Sequence, residues 1–100
     1  MYLIKQTEVF RKWLHKLKDL KAKVSILRRV ERMKIGNFGD CKFLGDNISE
    51  LRLSIGPGYR IYYTLFESEI IILLVGGDKS TQAADIEKAK KLAKEYKNEE

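Results

Sequence analysis

Gly56-Pro57-Gly58-Tyr59-Arg60-Ile61-Tyr62-Tyr63 is the stretch on which the fold of this 100-residue chain turns. Two glycines flank a proline that fixes one φ, so the first three residues predict a tight turn. The aromatic and β-branched run after it predicts a strand. Before the turn, residues 48–55 alternate, with Leu51, Leu53 and Ile55 pointing one way and Glu50, Arg52 and Ser54 the other. After it, residues 59–66 alternate as well, with Ile61, Tyr63 and Leu65 set against Arg60, Tyr62 and Thr64. An antiparallel pairing across the turn puts Arg52 and Arg60 on one face, beside Glu50, Tyr62 and Thr64.

Working outward, Glu67-Ser68-Glu69 reads as a turn, and Ile70 to Val75 is apolar on both faces, as expected of a central strand covered on two sides. Gly76-Gly77-Asp78-Lys79-Ser80 ends that strand. Thr81 is placed to cap a last helix over about 82–97, with Ile86, Ala89, Ala93 and Tyr96 as its apolar stripe. Residues 98–100 are expected to fray. Upstream, residues 2–6 read as a short strand and Thr7 as the cap of a helix whose stripe is Phe10, Trp13, Leu14, Leu17 and Leu20. A second helix is expected over about 21–35, with Val24, Leu27, Val30 and Ile35 inward. The break between the two falls near Lys21. Residues 36–40 read as a loop, and 41–44 as a strand ended by Gly45-Asp46-Asn47. The order β-α-α-β-β-β-β-α predicts one α+β domain over 1–100. Its first two helices pack on one sheet face. The arginine-bearing face lies on the other side, partly covered by the terminal helix.

The formal net charge is +6. Of the 20 Lys/Arg, 14 fall in residues 1–60 against 6 of the 14 Asp/Glu, which leaves 6 against 8 in the remainder. A basic N-terminal part suits a polyanion or an acidic protein partner, or else a solvated surface that aids solubility. Arg28, Arg29, Arg32 and Lys34 make the second helix strongly basic. One cysteine, Cys41, excludes an internal disulfide and a cysteine-based zinc site. With no signal peptide and no membrane-length apolar run, the chain is expected to be soluble and cytoplasmic.

Two arginines, the lysine Lys79 leaving the neighbouring strand, and a tyrosine on one sheet face suit a phosphate diester. Arginine grips it bidentately and stays charged, and a tyrosine can stack on a base. The same residues also fit a Glu50–Arg52/Arg60 ion-pair network on a solvated face. No histidine lies near to act as a base, because His15, the only one, falls mid-helix among lysines.

The Glu50-Leu51-Arg52-Leu53 run, Gly56 to Tyr63, the apolar strand, Gly76-Gly77-Asp78-Lys79-Ser80-Thr81-Gln82 and Asp85-Ile86 together resemble the RelE/ParE toxin superfamily. The branch they resemble is that of HigB-like, phage-derived addiction module killer proteins. The resemblance covers nearly the whole chain. It implies the RelE-like α+β fold, with two N-terminal helices on a mostly antiparallel sheet and a C-terminal helix. It also implies the toxin of a type II toxin–antitoxin pair that cuts messenger RNA on the ribosome without a metal or other cofactor. The implied partners are the ribosome, mRNA and a cognate antitoxin, of helix-turn-helix type. By the resemblance, Arg60 contacts the scissile phosphate, Arg52 is a second basic site residue, and Lys79 stands where relatives carry an arginine or a histidine. Together with Tyr59 and Tyr62 these residues form the implied RNA-binding set. Whether the chain is an enzyme stays open, because a ParE-like toxin that poisons DNA gyrase by binding needs no nuclease site.

Overall fold

The computed structural model describes residues 1–98, and the expectation for 99–100 lies outside them. Five strands form one sheet in the order β1-β5-β4-β3-β2. They are β1 (Leu3–Gln6), β2 (Cys41–Gly45), β3 (Ile48–Arg52), β4 (Tyr59–Phe66) and β5 (Ile70–Asp78). Only β1 and β5 run parallel; the other neighbours are antiparallel. Helices α1 (Glu8–Lys16) and α2 (Leu20–Lys34) follow β1, and α3 (Gln82–Asn98) ends the chain. This is the expected element order, and the α+β class holds.

The two sheet faces are covered by different helices. Phe10, Ile26 and Met33 of α1 and α2 pack on Leu51, Leu53, Tyr59, Ile61 and Tyr63. On the opposite face Ala89 of α3 packs among Ile48, Tyr62, Ile72, Leu74 and Val75. The stripe assigned to the last helix is the one it buries, with Ile86, Ala93 and Tyr96 flanking Ala89.

Thr7 caps α1, accepting from the Phe10 amide at 3.0 Å, and its hydroxyl donates to the Leu74 carbonyl at 2.6 Å. That carbonyl belongs to a β-bulge. Tyr62 pairs with Val75 but Tyr63 pairs with Leu73, so Leu74 is the extra residue in β5. Leu74 and Val75 therefore both face α3, and the side-chain alternation beyond them is reversed.

Several expectations are corrected. The helix break is at Leu17 to Asp19, not Lys21, because the Asp19 carboxylate accepts from the Ala22 amide and starts α2 there. Leu20 thus opens α2 and is exposed, instead of extending the α1 stripe. Helix α2 buries Ala22, Ile26 and Met33, while Val24, Leu27 and Ile35 face outward. Of the expected inward set only Val30 packs against the core; contact with the sheet turned the helix toward the neighbouring stripe of Ala22, Ile26 and Met33. Strand β3 stops at Arg52, short of the expected residue 55, so Ile55 lies in the bend before the turn and is exposed, as is Leu65 near the end of β4. The last helix is entered through a 3₁₀ turn, Lys79–Thr81, capped by Asp78, with Thr81 returning the bond as the reciprocal member of a capping box.

Candidate functional site

Arg52 and Arg60 are directly opposed across β3 and β4, and Glu50 is opposed to Tyr62 one pair further on. The expected shared face is therefore real. It is the face under α3. The Gly56-Pro57-Gly58 turn makes it possible: Gly56 at φ +51 and Gly58 at φ +79 take the left-handed backbone that other residues avoid.

The two arginines are held differently. The Arg52 side chain is partly exposed, and its Nη2 donates to Asp40 Oδ1 at 3.0 Å. Arg60 is only 9% exposed. Its Nε lies 3.9 Å from Glu50 Oε1, and its Nη1 reaches the carbonyls of Gly58 and Tyr59 at 3.4 and 3.3 Å. The Nε of each arginine is buried without a hydrogen-bond partner among the described residues. Like charges facing each other across a ladder are destabilising, and so are unsatisfied buried donors. Packing alone does not call for this arrangement.

Glu50 is 2% exposed. Its other oxygen accepts from the Gln82 side chain at 2.7 Å, which ties the first turn of α3 down over the site. The alternating pattern puts Glu50 on the arginine face, which the terminal helix is expected to cover only in part; the structure buries it fully. The expected ion-pairing of Glu50 with the arginines is present toward Arg60, but on a closed face and not a solvated one.

Lys79 is exposed, and its aliphatic stem lies against Gly58, where a Cβ would sit 3.5 Å from Lys79 Cδ and 3.7 Å from Arg60 Nη1. The lysine is therefore a neighbour of Arg60, as expected. Gly77 pairs with Arg60 on the other flank, and a Cβ there would fall 1.9 Å from Asp85 Oδ2. The Asp85 carboxylate, which accepts from the Thr81 hydroxyl at 2.6 Å, occupies the space a side chain would need.

The tyrosines depart from the expected roles. Tyr59 is on the opposite face, buried in the helix-pair core with its ring centroid 6.2 Å from that of Trp13. Strand alternation sends it away from Arg60. Tyr62 does share the arginine face but is wholly buried beneath α3, so no base can stack on it in this arrangement. Its hydroxyl makes no hydrogen bond among the described residues, and burial, followed by the Glu50 carboxylate, pushes its pKa up, which holds the phenol neutral. His15 is exposed on α1, in the helix layer on the far side of the sheet. Among the described residues no His, Cys, Asp and Glu side chains group to hold a metal ion, and no helix is long and apolar enough to cross a membrane. A cavity of about 670 Å³ opens at the far end of the α3 face, lined by Thr64, Phe66, Lys90, Lys94 and Tyr96, away from the arginines.

Arg29, read as part of a solvated basic cluster, is instead a structural clamp. Its Nη1 donates to the Arg52 carbonyl at 2.8 Å and its Nη2 to the Phe38 and Asp40 carbonyls at 3.2 Å. It thereby fixes the loop that presents Asp40 to Arg52.

Residues 12–97 match the family model described as Phage derived protein Gp49-like. An uncharacterized protein of Haemophilus influenzae is 52% identical over 92 residues, which is 92% of this chain and 93% of that protein. The backbone is similar to that of the isolated E. coli RelE toxin, with TM-score 0.60, 18% identity, and coverage of 84% of this chain and 95% of that one. It is also similar to a chain of the intact E. coli RelBE toxin–antitoxin complex, with TM-score 0.54, 19% identity, and coverage of 78% and 96%. At such identities the structural likeness is one of fold.

Proposed function

This chain belongs to the Gp49-like family of phage-derived proteins, within the RelE toxin superfamily, and on that premise we propose that it is the toxin of a type II toxin–antitoxin pair acting as a ribosome-dependent mRNA endonuclease. The observation that carries this reading is the opposed pair Arg52 and Arg60, with Lys79 beside them. The two arginines are opposed at the end of β3 and β4 next to the Gly56-Pro57-Gly58 turn, the Lys79 stem lies against that turn, and the Nε of each arginine is left without a hydrogen-bond partner among the described residues. Arg60 holds the scissile phosphate, Arg52 steadies the same backbone from the rim, and Lys79 offsets charge that develops on the phosphate oxygens or on the leaving group. Glu50 positions Arg60 and offsets its charge until the anion arrives. A cognate antitoxin, of helix-turn-helix type, neutralises the toxin in the cytoplasm.

The test is induced expression of Arg60→Ala and Arg52→Ala beside wild type, with growth and mRNA cleavage in translating extracts both read. Loss of cleavage in Arg60→Ala, with folding retained, is expected. Undiminished toxicity and cleavage in that variant overturn the nuclease reading.

A second reading has its own support. Arg60 is largely covered, and the Glu50 carboxylate, 3.9 Å from its Nε, stands where a phosphate would have to compete for it. A ParE-like toxin that inhibits DNA gyrase by contact needs neither an open phosphate site nor a base. Purified protein that blocks supercoiling while leaving translating mRNA intact selects this reading.

A further inference from the structure

Helix α2 carries more apolar surface than the fold uses. Ala22, Ile26 and Met33 are spent on the sheet, yet Leu20, Val24 and Leu27 repeat at the same helical spacing on the outer face. They are 72%, 42% and 48% exposed. Leu27 also lines a groove of about 560 Å³ between β1 and the helix pair, where Leu3 stands 58% exposed. The stripe and the groove thus form one continuous surface. A sequence pattern that local rules read as core, but that the fold leaves in water, marks a place where something else packs.

The rim narrows the choice of occupant. Arg28 and Arg32 border the stripe, and the Glu31 carboxylate within it is already taken by Lys34 at 2.9 Å. A second copy of this chain, docked by a two-fold axis, would set each copy's arginines against the same basic rim. A partner helix with apolar residues at matching spacing and acidic flanks complements both the stripe and the charge. We infer that the outer face of α2, continued by the groove beside β1, is the docking surface for an acidic amphipathic helix of a separate protein. On the toxin–antitoxin reading above, on which this rests, that helix belongs to the antitoxin. The surface lies on the helix-pair side of the sheet and the arginines lie under α3, so this partner holds the toxin without touching the phosphate site.

The probe is the purified product of the reading frame adjacent to this one, titrated against the full chain. V24E/L27E places two carboxylates on the stripe at positions already half in water, and circular dichroism with thermal melting checks its fold. R28E/R32E alters the rim alone and keeps the test available should the first variant fail to fold. V24E/L27E is expected to raise Kd by roughly thirtyfold or more. R28E/R32E is expected to slow association and flatten its salt dependence, while K94A, an exposed change on the α3 side of the sheet, binds as wild type does. Binding to wild type that both α2 variants leave intact removes this surface and spares the toxin–antitoxin reading. No binding to wild type removes both. A dimer of the chain, or adsorption to anionic phospholipid vesicles, that the same variants abolish while partner binding persists overturns the proposed occupant.

Discussion

The two faces of the sheet share strands but not chemistry. Beneath α1 and α2 the layer is dry and aromatic, with Phe10 and Trp13 at 5.7 Å, Trp13 and Tyr59 at 6.2 Å, and Phe38 stacked on Tyr63 at 5.8 Å. Beneath α3 the same strands present Glu50, Arg60 and Thr64 as buried polar groups among Ile48, Ile72 and Leu74. A buried ion pair contributes little net stability compared with apolar packing of the same volume. The helix-pair face therefore stabilises the fold by apolar packing throughout, whereas the α3 face sets its polar groups beside an apolar cluster of its own. The α3 face carries an electrostatic arrangement whose justification lies outside folding.

That contrast can be broken most sharply at Glu50. Removing it by Glu50→Ala leaves the Arg60 guanidinium buried without its carboxylate, and is expected to cost about 3–5 kcal/mol by chemical denaturation. That is a large share of the roughly 5–15 kcal/mol typical of a whole domain. A cost under about 1 kcal/mol would mean that water reaches Arg60 freely and that this face is not closed.

The adjacent glycines of β5 sharpen the contrast, because each belongs to one face. A Cβ on Gly76 would lie 2.1 Å from the Trp13 ring, and one on Gly77 would lie 1.9 Å from Asp85 Oδ2. The indole is wedged in a packed core, whereas a carboxylate at the end of a side chain can swing aside. Gly76→Ala is expected to cost about 3 kcal/mol and Gly77→Ala about 1 kcal/mol, read as shifts in denaturation midpoint. Equal costs would show that the α3 face is packed as rigidly as the other.

The smallest effect is expected at Tyr62, whose hydroxyl is buried and unpartnered. Tyr62→Phe removes a polar group that nothing satisfies, so stability should change by less than about 1 kcal/mol, in the stabilising direction. A loss larger than this in a thermal melt would reveal that the hydroxyl makes a bond to Glu50 or to water in solution.

Much of the site was legible because strand parity is local. The turn at Gly56 to Gly58 and the alternation on either side of it put Arg52 and Arg60 on one face, where the register confirms them. Lys79 was placed beside them by its position just past β5. Tyr59 was misjudged for want of applying the same parity, since a residue next to Arg60 in a strand points away from it. Glu50 and Tyr62 lie on the face expected to be partly covered by the terminal helix, but how deeply α3 buries each of them is set by the fold and not by any local pattern. Arg29 looked like any other arginine on a basic helix. Its three carbonyl partners come from a loop and a strand that only the fold brings within reach.

What the chain's residues determined unaided was the succession of elements, the shared face of the two arginines, and the stripe by which α3 packs. These follow from periods of two and 3.6 residues, which each segment carries whatever its neighbours do. Tertiary structure alone decided which of two apolar stripes on α2 meets the sheet, and on which side each glycine of β5 falls. The extra residue at Leu74 reverses the alternation, so Gly77 and not Gly76 lies beside Arg60. A bulge is a property of two paired strands, and a buried stripe is a property of two packed surfaces. Neither is written in one segment, because the energy that selects it arises only when the partner is present.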